Sequence, residues 1–117
     1  YALATRNAHG MEILVWNYHD DDLPAPPAQI SLSVGGLAAR SATITQYRVD
    51  DRHSNSYEVW KSMGSPQALT AEQRSRLQKS GELETIGSPS HRRIENRRLA
   101  LELSLPRQGV ALFTIEN

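Results

Sequence analysis

Between Arg98 and Leu105 the chain reads RLALELSL, with leucine at 99, 101, 103 and 105. A period of two sends successive side chains to opposite sides. Such a segment fits only a strand with one face in a core and the other toward water. The same period runs through most of the chain. Ala2 to Asn7 alternates, Ala8-His9-Gly10 supplies a turn, and Met11 to Tyr18 follows with β-branched and aromatic residues, so the two segments read as a hairpin. Ile30, Leu32 and Val34 alternate with Ser31 and Ser33. From Ala42 to Val49, Ile44 lies on one face and Thr43, Thr45 and Tyr47 on the other. Gly109 to Ile115 closes the set with a short apolar strand, after a turn bracketed by Pro106 and Gly109. Six or so short strands with turn signals between them predict a mainly β fold. The expected architecture is a small antiparallel β-sandwich of Greek-key type, with residues 1–117 as a single domain.

Two segments break the period. His19 to Gln29, HDDDLPAPPAQ, holds three of the six prolines. Proline locks φ and removes a donor, so this connection reads as an extended, semi-rigid loop. Thr70 to Gly81 reads as a helix: Thr70 caps it, Gln73 completes a capping box, Leu77 is its apolar contact and Gly81 ends it. Before it, Ser56 to Gly64 predicts a shorter helical turn with Tyr57, Trp60 and Met63 facing inward. One or two short helices are thus expected in an insertion around residues 56–81, between the fourth strand and those that close the chain.

Composition narrows the functions open to such a fold. Lys plus Arg and Asp plus Glu number 13 each, so no global field draws nucleic acid or a membrane. The cluster of Arg92, Arg93, Arg97 and Arg98 reads as a solvated hairpin rather than a phosphate site. The chain has no cysteine, which excludes disulfides and thiolate metal sites, and no apolar run approaches the roughly 20 residues of a membrane span. It begins at Tyr1 without Met, and a Met is not normally trimmed from before so bulky a residue. The chain is therefore expected to be a piece of something longer.

The residues that most resemble an active site lie between Tyr47 and Pro66. Asp50, Asp51 and Glu58 offer carboxylates for glycoside chemistry, and His53 a general base. A glycosidase, however, needs two carboxylates on opposite sides of the scissile bond, held on rigid elements within a cleft. One loop on a small sandwich supplies neither. The expectation is that Asp50, His53 and Asn55 cap turns and bond the backbone, while Tyr57 and Trp60 anchor the insertion to the core. No serine here lies in a nucleophile elbow. The acidic run His19-Asp20-Asp21-Asp22 lacks the alternating spacing and glycine of a calcium loop and reads as structural, so no metal is expected. Trp16, inside an apolar strand, reads as core rather than as a sugar-stacking platform.

The blocks LVWNYHDDDLP, YRVDDRHSNSYEVWKSMGSPQALTAEQRSRLQKSGELE and LSLPRQGVALF resemble the C-terminal portion of bacterial glycoside hydrolase family 39 β-xylosidases. The most specific stretch sets Asp50, His53-Ser54-Asn55, Tyr57, Val59-Trp60 and Met63 to Gln67 before Thr70, Glu72 and Gln73. Ser56 stands where the family pattern has Ala, and Ala68-Leu69 where it has a Pro near the helix start. The resemblance implies a two-part enzyme, in which a (β/α)8 barrel carries two glutamates about 5 Å apart in a retaining mechanism. A barrel takes about 250 residues, which this chain cannot hold. The motifs around those glutamates match none of its eight. The resemblance therefore implies a non-catalytic sandwich that stabilises the barrel of the same polypeptide and borders its entrance. The parent would hydrolyse xylo-oligosaccharides without a metal or organic cofactor, in bacterial cytoplasm or periplasm. Asp50, His53, Asn55, Tyr57 and Trp60 are the candidate barrel-interface residues. In that family the sandwich is often completed by strands from the N-terminal end of the protein, so this chain is expected to leave a sheet edge unpaired.

Two rival readings are a free-standing carbohydrate-binding module and an oligomerisation module. The first needs exposed aromatics in a row on one sheet face, and the chain has two Trp, four Tyr and one Phe from which to build it.

Overall fold

The computed structural model describes all residues from Tyr1 to Asn117. The chain forms β1 (Ala2–Asn7), β2 (Gly10–Trp16), β3 (Ala28–Val34), β4 (Ser41–Val49), α1 (Ser56–Ser62), α2 (Ala71–Ser80), β5 (Glu84–Thr85), β6 (Ser90–Arg93), β7 (Leu99–Leu105) and β8 (Val110–Glu116). All strand pairs are antiparallel. The larger sheet runs β1-β2-β8-β4, and the far edge of β4 is shared by β6 along its first half and β5 along its second. The smaller sheet holds only β3 and β7.

The alternating residues meet where the two sheets face each other. Leu99, Leu101, Leu103 and Leu105 of β7 are all buried, opposite Ile13 and Val15 of β2, Ile44 of β4, and Phe113 and Ile115 of β8. On β3, Val34 is buried and Ile30 and Leu32 pack partly against the core, while Ser31 and Ser33 face water. This is the mainly β sandwich that the period of two predicts.

Two strands escaped the sequence reading. β6 is Ser90-His91-Arg92-Arg93, all exposed, and β5 has only two residues, so neither carries an apolar alternation. Both are edge strands that β4 recruits through backbone hydrogen bonds, and an edge can be polar on both faces. After β6 the chain turns inward at Ile94, which is buried, and crosses to the smaller sheet. Glu95 and Arg98 then exchange backbone hydrogen bonds around Asn96-Arg97, whose φ of 51° and 61° are those of a tight hairpin turn. All four arginines are exposed, as expected, but only Arg97 and Arg98 lie in this hairpin; Arg92 and Arg93 sit on β6, paired with β4. Arg92 donates to the carbonyl of Ala100, and Arg98 to the hydroxyl of Ser33.

The helices form where expected. Thr70 and Gln73 make both hydrogen bonds of the capping box on α2, and Asn55 caps α1. Neither helix has a buried residue, and they pack principally on each other. This corrects the expectation that Tyr57, Trp60 and Met63 face inward. Tyr57 is 61% exposed, Trp60 and Met63 are half-buried, and none joins the core. The cause is that the two helices extend the molecule instead of lying over a sheet. A compact chain of this length has a radius of gyration of about 13 Å, whereas this one has 17.1 Å and extents of 55 × 32 × 20 Å. Its accessible surface is 8275 Å², against about 6,400 Å² for a compact monomer of its mass. β3 and β7 pair only with each other, so each leaves its outer edge unpaired.

Candidate functional site

Asp50 leaves β4 and organises the loop that follows. Its backbone N–H donates to the His53 carbonyl at 3.1 Å. One carboxylate oxygen accepts from the Arg52 N–H and the His53 Nδ1, both at 2.8 Å. The other faces the Arg48 guanidinium at 3.4 Å. The Asn55 side chain donates to the Asp50 carbonyl and accepts from the Glu58 N–H, joining this loop to the start of α1. Ser54, at a left-handed φ of 55°, donates its hydroxyl to the Arg48 carbonyl and accepts from the Glu84 N–H, tying the loop to β5. Asp50 and Asn55 therefore do what the residue types predict, capping turns and bonding backbone, whereas the His53 ring bonds the Asp50 carboxylate instead.

Electrostatics agree. Burial opposes ionisation of Asp50, but hydrogen bonds from Arg52, His53 and Arg48, with the charge of His53, outweigh it and hold the carboxyl below the usual range. A carboxylate so held stabilises the fold above the ordinary carboxylate pKa of about 3.9. That stability is lost as pH falls through this value toward the lower folded one. Asp50→Asn should cost about 1–3 kcal/mol at pH 7, and its deficit relative to wild type should shrink toward pH 2. Urea unfolding of both proteins across that range reads the difference directly. A deficit independent of pH would show that the charge of Asp50 is not what matters.

Of the other reactive groups nearby, Asp51 is exposed, while Glu58, Glu84 and Ser54 are engaged. Glu58 pairs with Lys61 at 2.8 Å, and Glu84 accepts from the Ser54 N–H. The Ser54 hydroxyl has backbone partners rather than His53, so no nucleophile and base face each other there. Tyr57 and Trp60 stack at 5.8 Å between ring centroids, Lys61 lies over the Tyr57 ring, and the Trp60 indole donates to the Pro66 carbonyl at 2.9 Å. These two rings fasten the insertion to itself rather than to the core. A cleft of about 430 Å³ bordered by the loop, α1, α2 and β5 is lined by Arg52, Ser54, Arg76, Lys79, Glu82 and Glu84 among others. In the acidic run, Asp21 accepts from Leu23 N–H and pairs with Arg107 at 2.6 Å, which pins the loop to the turn between β7 and β8. What the region presents is a polar surface with one stacked aromatic pair.

The outward face of the larger sheet was not foreseen. Cross-strand register lines up Leu3, Leu14, Leu112 and Tyr47 in one row across four strands. The adjacent row runs Tyr1, Trp16, Val110 and Val49. Trp16 thus lies outside the core, half-buried and stacked on Tyr1 at 6.1 Å, because Ile13 and Val15 take the inward positions of β2. The signal was present in the sequence: Ile13 to Trp16 and Val110 to Phe113 are unbroken apolar runs, as in strands covered on both faces.

No protein-family model matches the chain, and no curated protein sequence matches it. Solved structures do. The fold covers 99% of this chain and 26% of a GH39 enzyme from Xanthomonas axonopodis pv. citri, with a TM-score of 0.84 and 16% identity. It covers 98% of this chain and 26% of a monomeric β-xylosidase from Caulobacter crescentus CB15, with a TM-score of 0.79 and 20% identity. A bacterial orthologue of human α-L-iduronidase matches 99% of this chain over 22% of its own, with a TM-score of 0.75 and 21% identity. The chain therefore has the fold of a domain-sized part of these glycoside hydrolases and spans about a quarter of their length. Fold likeness and sequence resemblance point to the same enzymes.

Proposed function

We propose that residues 1–117 form the C-terminal, non-catalytic sandwich domain of a retaining β-xylosidase. The catalytic partner would be a (β/α)8 barrel of the same polypeptide, acting on xylo-oligosaccharides. The observation that carries this reading is the fold likeness, which spans nearly all of this chain and about a quarter of GH39 enzymes. Two further features support it. Among the candidate acid, base and nucleophile groups, Asp50, His53, Ser54, Glu58 and Glu84 are engaged in local structure. The accessible surface also exceeds that of a compact monomer by about 1,900 Å², as suits a domain that shares its surface with a larger body. In this role Asp50, His53 and Asn55 set the shape of the insertion, and Tyr57 and Trp60 present it to the barrel or its entrance.

The reading is tested in the coding frame around Tyr1. A stretch of about 250 residues or more, carrying two well-separated glutamate motifs, is expected in the same frame. A frame encoding these residues alone would leave a free-standing binding module as the explanation.

A further inference from the structure

We infer that the outer face of the larger sheet, centred on Leu14 and Leu112, is where this domain seats against the catalytic part of its own polypeptide. The inference rests on the function proposed above and names the surface that carries it. The two apolar rows span four strands, and they stop abruptly. The next row along the same face is Thr5, Glu12, Thr114 and Thr45. The opposite outer face of the sandwich presents Ser31, Ser33, Glu102 and Ser104 to water. Within the sheets, apolar exposure is therefore confined to one end of one face; the other exposed large hydrophobics, Tyr18, Leu23, Tyr57 and Leu83, lie off the strands. Leu3 is 57% exposed there and Val49 39%. Val49 directly precedes Asp50, so the fastened loop and the helical insertion leave the sheet from the margin of this patch.

Size and chemistry select the occupant. With strands about 4.8 Å apart and same-face rows about 7 Å apart, the patch covers about 300 Å². A stable contact between free copies needs about 800 Å² from each partner. Contacts between domains of one chain begin at about 300 Å² a side. A tethered neighbour thus fits where a second copy falls short. A sugar fits less well, because Tyr1 and Trp16 cover one face of each other's ring. Of the remaining six residues only Tyr47 carries a hydrogen-bonding side chain for hydroxyl groups.

Hydroxyl-radical footprinting of the full-length polypeptide tests this, with xylobiose hydrolysis followed in the same sample. Leu3 should be oxidised at least about five-fold more slowly than a leucine in an unstructured peptide, as for the desolvated centre of an interface. Leu112→Asp should release that protection, whereas Ser31→Asp on the opposite face should not. Oxidation of Leu3 within about two-fold of the peptide rate, its exposure here, would overturn the inference if the polypeptide hydrolyses xylobiose. Protection that appears only with added xylohexaose would make the face a sugar platform, and protection lost on dilution would make it a contact between copies. Either would overturn it too. A polypeptide without hydrolytic activity would instead remove the proposed function itself.

Discussion

Leu105→Ala should destabilise the domain by about 2–5 kcal/mol, the cost of deleting a buried leucine and leaving its cavity. Leu105 is fully buried at the end of β7, and its strand belongs to a sheet of only two. With β3 as its sole hydrogen-bonded neighbour, β7 depends on packing against the larger sheet more than a central strand would. Domains of this kind have about 5–15 kcal/mol in all, so the loss is a large share. Chemical denaturation of the variant beside Leu23→Ala, an exposed loop leucine, measures it. Leu23→Ala should stay within about 0.5 kcal/mol of wild type. Equal effects at both positions would mean that the two-layer core described here does not form.

Gly10→Ala should cost about 3 kcal/mol for a different reason. Gly10 opens β2 at a φ of 153°, between Asn7 of β1 and Glu116 of β8. A Cβ there would lie 1.9 Å from the Ile115 carbonyl oxygen. That oxygen belongs to the backbone ladder and cannot rotate away, so β2 must separate from β8. Gly87 is the control: its φ of 68° also favours glycine, but nothing lies within reach of an added Cβ. Gly87→Ala should cost only the about 1–2 kcal/mol of the left-handed backbone. Thermal unfolding of the two variants should therefore separate steric collision from conformational strain, and a milder Gly10→Ala would mean that the first turn sits further from β8.

What the sequence made legible follows from where water lies. β3 and β7 have one face in the core and one in solvent, so Ile30 to Val34 and Leu99 to Leu105 alternate cleanly and were read correctly. The cap residues Asn55, Thr70 and Gln73 were equally readable, because capping depends on residues three apart. β5 and β6 were not, since their place comes from the edge of β4 rather than from their own side chains. Trp16 and Tyr57 were misplaced for a shared reason: an aromatic in an apolar or helical run was assigned to the core. A strand has two faces, however, and Trp16 takes the outer one. The insertion carries an internal stack, and Tyr57 takes its outer side. In the candidate site the bonds of Asp50 and Asn55 are of the kind their residue types predict, while the His53 ring bonds a side chain, the Asp50 carboxylate, rather than backbone. The link from Ser54 to Glu84, thirty residues away in sequence, was not foreseen, because only the fold brings β5 to that loop.

The most direct test of a non-catalytic role is the rate of xylobiose hydrolysis by the full-length polypeptide with each of the eight glutamates in this segment changed to glutamine. On the proposed function each variant should keep kcat/KM within about three-fold of wild type, because a catalytic carboxylate typically contributes about 10²–10⁴-fold. A fall of about a hundred-fold or more at any one of them, with the fold intact, would place the chemistry in this domain and contradict the account.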